Sequence, residues 1–242
     1  MASSNTPFRV GIVLIPGFAL MSYAATVEPI RAANLLSREL LYQITHIKAE
    51  PGEAVSSGHI AIKSDVTMEP DAKFDLVLVI AGGNAMAYEN KQLVNWLRRL
   101  SRKGVPIGGV SAGPVFLAQN GLLNNRRMTV HWEHVALLQE TMPSILLEHS
   151  LYVIDRDRMT CGGGTAPIDL MLAIIANHHG QKLAQLVGDW FLHTSIRPSA
   201  GPQRASLAER YGTANGAVLA AIEAIETHVA NPLSLSQIAG IA

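Results

Sequence analysis

The chain has 242 residues, 48% of them hydrophobic, which suffices for one large domain with an appendage around a substantial core. Lysine plus arginine number 19 and aspartate plus glutamate 19, with no polybasic run, so a field that would draw this stretch onto nucleic acid is excluded. The single cysteine, Cys161, excludes an internal disulfide, no apolar run reaches the about 18 residues of a membrane span, and no secretion signal precedes residue 8, so a cytoplasmic protein is expected.

Residues 8–15 (FRVGIVLI) are a continuous β-rich apolar run closed by Pro16-Gly17, the pattern of a central strand buried on both faces. Apolar residues return at helical spacing over 22–36, and 42–48 reads as a second strand, completing a βαβ unit. After a hairpin expected between 54 and 67, the run 74–80 (FDLVLVI) ends in Ala81-Gly82-Gly83, where a strand stops and its backbone approaches a site. A helix is expected over 91–102 and a strand over 105–110, from which Ser111-Ala112-Gly113-Pro114 leads into a helical segment over 115–120. Beyond it the pattern gives a short strand near 128–131, a helix near 133–140, a hairpin over 147–161, and three glycines that introduce a long apolar helix over 167–178.

Strands alternating with helices, with glycines at the strand ends, predict an α/β fold: a doubly wound, mostly parallel sheet whose site lies beyond the carboxyl ends of the strands. Residues 195–212 (SIRPSAGPQRASLAERYG) are rich in Pro, Gly, Ser and charge and read as a linker after a domain of residues 1–194. A helix over 214–229 and another beginning at Ser234 make 213–242 a C-terminal helical extension.

Gly109-Val110-Ser111-Ala112-Gly113 matches G-x-S-x-G, the turn that presents a nucleophile at the top of a sheet because flanking glycines admit its strained backbone. A serine needs a base to attack, and His131 with Glu28 as third member offers one arrangement. The α/β-hydrolase order offers another, Asp155, Asp157 or Asp169 followed by His178, His179 or His193. The alternative is that Ser111 is a small polar residue lining a pocket with its hydroxyl and the adjoining amides. Asn177-His178-His179 is not read as a metal site, because adjacent helical residues point about 100° apart. Cys161 is either a redox-sensitive thiol or a buried small residue; nothing near it in sequence lowers its pKa.

Val110-Ser111-Ala112-Gly113-Pro114 resembles the elbow of the class I glutamine amidotransferase-like superfamily, in particular its PfpI-type branch, whose members usually carry cysteine at the position of Ser111. Glu28, in TVEPIRAAN, resembles the glutamate that contacts the elbow residue in that branch. Three further stretches are similar to AraC-type regulators with such a domain: Leu117-Ala118-Gln119-Asn120-Gly121-Leu122-Leu123 followed by Met128-Thr129-Val130-His131-Trp132, then 152–169 (YVIDRDRMTCGGGTAPID), then Pro232-Leu233-Ser234-Leu235-Ser236-Gln237-Ile238-Ala239. The last looks like the opening of an AraC-type helix-turn-helix domain, incomplete within 213–242.

The resemblance implies a flavodoxin-like fold and a transcriptional regulator, expected as a homodimer, whose old amidotransferase site senses a small metabolite without catalysis or cofactor. DNA contact is then expected of the full-length protein only. Regulators of this kind respond to amino acids or quaternary amines such as arginine, glycine betaine or carnitine, which sets the expected ligand class. The expected walls are Glu28, Gly82, Gly83, Asn84, Ser111, Ala112, His131, Trp132, Gly163 and Thr165. The elbow amides favour a carboxylate, while Glu28 and the Trp132 face suit a cationic group. Trp132 reads equally as a packed core residue and His131 as a structural histidine. The rival function is a serine hydrolase or amidase using Ser111 and His131.

Overall fold

The structure, a computed structural model, describes residues 6–228 and 231–242. In chain order the first part contains β1 (Phe8–Leu14), α1 (Leu20–Ser37), β2 (Tyr42–Ile47), the short strands β3 (Ala54–Val55) and β4 (Ala61–Ile62), β5 (Leu76–Ala81), α2 (Lys91–Arg102), β6 (Ile107–Ser111) and α3 (Gly113–Gln119). There follow β7 (Arg127–Met128), α4 (Val135–Thr141), β8 (Leu146–Leu147), β9 (Tyr152–Asp155), β10 (Arg158–Cys161), α5 (Ala166–His179) and α6 (Gln181–Trp190). The last part holds α7 (Leu207–Tyr211), α8 (Gly216–Thr227) and α9 (Leu235–Ile241).

Six strands form the main sheet in the order β2-β1-β5-β6-β10-β9, parallel throughout except for the β9–β10 hairpin. The unbroken apolar runs occupy its middle because a strand covered on both faces has no solvent side to supply with polar residues. Successive residues then point into opposite layers: Val13, Val77 and Val79 pack with α2 and α3, whereas Ile12, Leu78 and Ile80 pack with α1, α5 and α6. This is the expected doubly wound, mostly parallel sheet. Helix α2 starts where the sequence places it because the Asn90 side chain accepts from Leu93 N at 2.8 Å. No helix among the described residues is long and apolar enough to cross a membrane.

Several elements differ from expectation. The strand near 128–131 is only two residues long, since Thr129 N donates to the Thr160 side-chain hydroxyl at 2.9 Å instead of to a backbone carbonyl of a paired strand. The helix near 133–140 opens with a single tight turn, Trp132–His134, before α4. Helix α6 was absent from the sequence reading; it follows α5 after Gly180, whose φ of 89° breaks the helical path at one residue.

The chain divides into two compact units, residues 1–203 and 204–242. Of the segment 195–212 read as a linker, the part up to Gln203 belongs to the first unit and 207–211 form α7. Its Pro, Gly and Ser content marks turns, yet Arg197, Gln203 and Ser206 are held by side-chain hydrogen bonds. In the second unit, capping boxes at Ser206/Glu209 and Ser234/Gln237 start α7 and α9, and Arg210 pairs with Glu226. The expected end of the helix over 214–229 lies outside the described residues.

Candidate functional site

Ser111 ends β6 at φ 61°, a left-handed conformation that a residue with a side chain adopts only where its surroundings impose it. The flanking glycines show what imposes it. A Cβ on Gly109 would lie 2.6 Å from Pro114 N, and one on Gly113 would overlap the Val79 carbonyl oxygen. The turn is therefore pressed against both its own helix and β5, and Ser111 is lifted off the end of the sheet. Register pairs Ala81 with Ser111, so Gly82, Gly83 and Asn84 emerge beside the elbow. Gly82 packs on the loop after β1, where a Cβ would meet the Gly17 carbonyl oxygen at 2.6 Å, while Gly83 and Asn84 are exposed.

The glycine turn after β10 closes over the same residue. A Cβ on Gly163 would fall 2.6 Å from Ser111 Cβ and 2.9 Å from its Oγ, so only a glycine backbone fits against the elbow. The adjoining Gly164 N donates to Ser22 Oγ at 2.9 Å, and Thr165 Oγ1 accepts from Arg197 Nη2 at 3.0 Å. Thus the α1 residue that reaches this turn is Ser22, buried at 1% exposure. Glu28 instead forms a forked pair with Arg31, with distances of 2.6–3.0 Å, and bonds to no other described residue. Ser22 and Glu28 lie six residues apart, about 240° around the helix, so both cannot face one point.

His131 and Trp132 follow β7. The His131 Nδ1 accepts from Glu133 N at a long 3.4 Å, and burial pushes the imidazole below its ordinary pKa, opposed by Glu133. Trp132 is 44% exposed, with its ring 5.2 Å from that of His131. Gln203, which the sequence reading passed over as linker, holds this loop: its Oε1 accepts from Trp132 N at 2.8 Å and its Nε2 donates to Val130 O at 2.9 Å.

The family model described as the DJ-1/PfpI family matches residues 9–177. The chain belongs to the DJ-1/PfpI family. It is 43% identical over 243 residues to the HTH-type transcriptional regulator GlxA of Rhizobium meliloti (strain 1021), covering 100% of this chain and 75% of that protein. To the HTH-type transcriptional regulator CdhR of Pseudomonas aeruginosa it is 40% identical over 227 residues, covering 94% of this chain and 67% of that protein. The crystal structure of an AraC family transcriptional regulator from Pseudomonas putida shares the fold with a TM-score of 0.70 at 24% identity, covering 76% of this chain and all of that one. The chain thus contains a DJ-1/PfpI domain and is similar along its length to HTH-type transcriptional regulators that its motifs led us to expect.

Within this DJ-1/PfpI domain the hydrolase ingredients are present but not assembled. The Ser111 hydroxyl, in a residue 8% exposed, bonds to no other described residue. Asp169 and His193 do pair at 2.8 Å, yet the same buried carboxylate takes Arg197 N, Nε and Nη2 at 2.6–2.9 Å, which makes it a brace for the 193–203 segment. Asp155 and Asp157 are occupied by Arg127, Arg156, Arg126 and Arg158. His178 meets the Tyr42 hydroxyl at 3.2 Å, stacks on the Tyr42 ring and packs at a tilt against Phe8. Among the described residues no three His, Cys, Asp or Glu side chains are placed to hold a metal. Cys161 is wholly buried and burial pushes its thiol up to about 12, so it is inert as a nucleophile.

Proposed function

We propose that this chain is the effector-sensing part of a cytoplasmic, homodimeric transcriptional regulator. It receives an amino acid or quaternary amine at the Ser111 elbow without turning it over. The walls of that site are Gly82, Gly83, Asn84, Ser111, Ala112, His131, Trp132, Gly163 and Thr165. Contact with DNA belongs to a complete helix-turn-helix domain, of which α8 and α9 are the opening. Dimerisation matches paired half-sites on DNA.

The observation that carries the reading is an elbow serine presented at φ 61° with no base bonded to it. A hydroxyl in that state donates and accepts hydrogen bonds but is a weak nucleophile. Trp132, 44% exposed, is of the residue type that attracts a cationic nitrogen. The relatives' identity as regulators supports a binding role over a catalytic one.

Thermal melting of the 242-residue chain against L-arginine, glycine betaine and L-carnitine tests the proposal. A ligand at 100 times its Kd adds about 2.7 kcal/mol, or roughly 5–10 °C for a chain of this size. The expected result is such a rise with one of the three, lost in Ser111→Trp, and no hydrolysis of p-nitrophenyl acetate above the Ser111→Ala background. Ester turnover abolished by Ser111→Ala overturns the sensor in favour of a serine hydrolase.

A further inference from the structure

We propose that Gln203 couples the elbow site to the C-terminal unit: its amide holds the His131–Trp132 loop and fixes the point where that unit begins. The inference rests on the sensor reading for the ligand that works the coupling, and on geometry alone for the clamp.

One side chain makes four hydrogen bonds. Gln203 Nε2 donates to Ser150 O at 2.7 Å, Val130 O at 2.9 Å and Thr129 Oγ1 at 3.1 Å, while Oε1 accepts from Trp132 N at 2.8 Å. An amide nitrogen has two hydrogens, so three acceptors compete for them. The glycine turn makes room for this amide, since a Cβ on Gly162 would lie 2.7 Å from Nε2. Gln203 thus sits between two walls of the proposed site, the loop bearing Trp132 and the turn bearing Gly163.

Upstream the strap is pinned again. Arg197 binds Asp169 and Thr165, and Ser199 O accepts from Leu151 N at 2.8 Å. Downstream, Arg204 already belongs to the second unit. No residue separates Gln203 from that unit, so a shift of the Trp132 loop that weakens its bonds to the Gln203 amide loosens the chain at the point where the first unit ends. The neighbouring Ser150 hydroxyl is buried without a hydrogen-bond partner while its carbonyl accepts both Gln203 Nε2 and Thr129 Oγ1. The ligand need only bind the released state more tightly than the held one.

The test uses the 242-residue chain and two readouts: hydrogen exchange at the Trp132 amide, and tryptic cleavage after Arg204. Gln203→Glu keeps the acceptor for Trp132 N but sets a carboxylate against two carbonyls, and Gln203→Ala removes every bond. We expect exchange and cleavage each to rise at least tenfold in Gln203→Ala, and cleavage to rise at least tenfold in Gln203→Glu, with β5 and β6 unchanged. Cleavage within twofold of the parent overturns the clamp. Should these variants not fold, Thr129→Val, which removes one acceptor at constant shape, is read the same way. In a second arm, whichever of L-arginine, glycine betaine or L-carnitine raises the melting temperature is added. It is expected to alter cleavage after Arg204 in the parent and not in Gln203→Ala. An equal change in both overturns the coupling and leaves the sensor standing; failure of all three ligands sinks the ligand class, while the first arm still decides the clamp.

Discussion

Gly163→Ala tests whether the glycine turn is seated on the elbow. The backbone at Gly163 has φ +88°, where an L side chain is strained by about 1–2 kcal/mol, and the added methyl would lie 2.6 Å from Ser111 Cβ, 2.8 Å from its Cα and 2.9 Å from its Oγ. Overpacking of that kind adds about 1–3 kcal/mol, so the expected loss is about 3 kcal/mol, or roughly 6–12 °C in melting temperature. Gly164→Ala is the control, because φ there is +60° and no atom lies within 4 Å of the new methyl, leaving the backbone strain alone. Melting of the two variants by circular dichroism separates the steric part from the conformational part. Repeating Gly163→Ala in a Ser111→Gly background removes two of the three close atoms and should recover at least about 1 kcal/mol of coupling. Equal losses in the two alanine variants, or no coupling with Ser111, would refute the apposition of turn and elbow.

Asp169→Asn leaves Arg197 without its carboxylate, and loss of one partner of a buried pair costs about 3–5 kcal/mol. The low end applies because the Arg197 side chain is 36% exposed, and a melting point within 2 °C of the parent would show that Asp169 does not brace the strap. Burial pushes His131, His134 and His178 below their ordinary pKa of 6.5. The unfolded chain therefore takes up protons first as pH falls, and stability declines from pH 6.5 downward through the folded-state values. Exchanging the three for glutamine should flatten the slope of melting temperature between pH 7 and 5; an unchanged slope contradicts this. Cys161 should resist iodoacetamide at pH 8 in the folded chain and react once guanidinium unfolds it, and alkylation in the folded state would contradict its burial.

How much was legible in the sequence depended on the range of the interactions involved. Strands β1 and β5 announce themselves because two-sided burial leaves a run with no polar interruption, and α2 because Leu93, Val94, Trp96, Leu97 and Leu100 recur at helical spacing. The elbow was legible because its glycines answer to steric contacts within a few residues or with the adjoining strand. Ser22 was missed and Glu28 chosen because motif similarity carries no helical phase, and a shift of six residues moves a side chain to another face. Helix α6 was missed since a break of one residue at Gly180 looks like an end. Arg197 and Gln203 were invisible for a different reason. Their partners lie 28 to 74 positions away, and an amide or guanidinium that bonds across such a separation leaves no periodic trace.

The backbone at the elbow bears on why serine stands there. A turn at φ 61° is most readily made by glycine, which carries no steric penalty in that region. Had the position served the fold alone, glycine at 111 would relieve the strain and also the crowding under Gly163. A serine keeps that strain and adds one hydroxyl at the mouth of the sheet. Its neighbours are otherwise engaged: Ser22 is bonded to Gly164, Glu28 to Arg31, and Nδ1 of His131 to Glu133 N, so none of them is hydrogen-bonded to the Ser111 hydroxyl. In the proposed sensor that hydroxyl serves as a hydrogen-bonding group for the ligand. A bound molecule in contact with Ser111 and Trp132 meets the turn braced by Arg197 and the loop braced by Gln203. The strain at Ser111 is thus set beside the two anchors that hold the strap leading into the second unit.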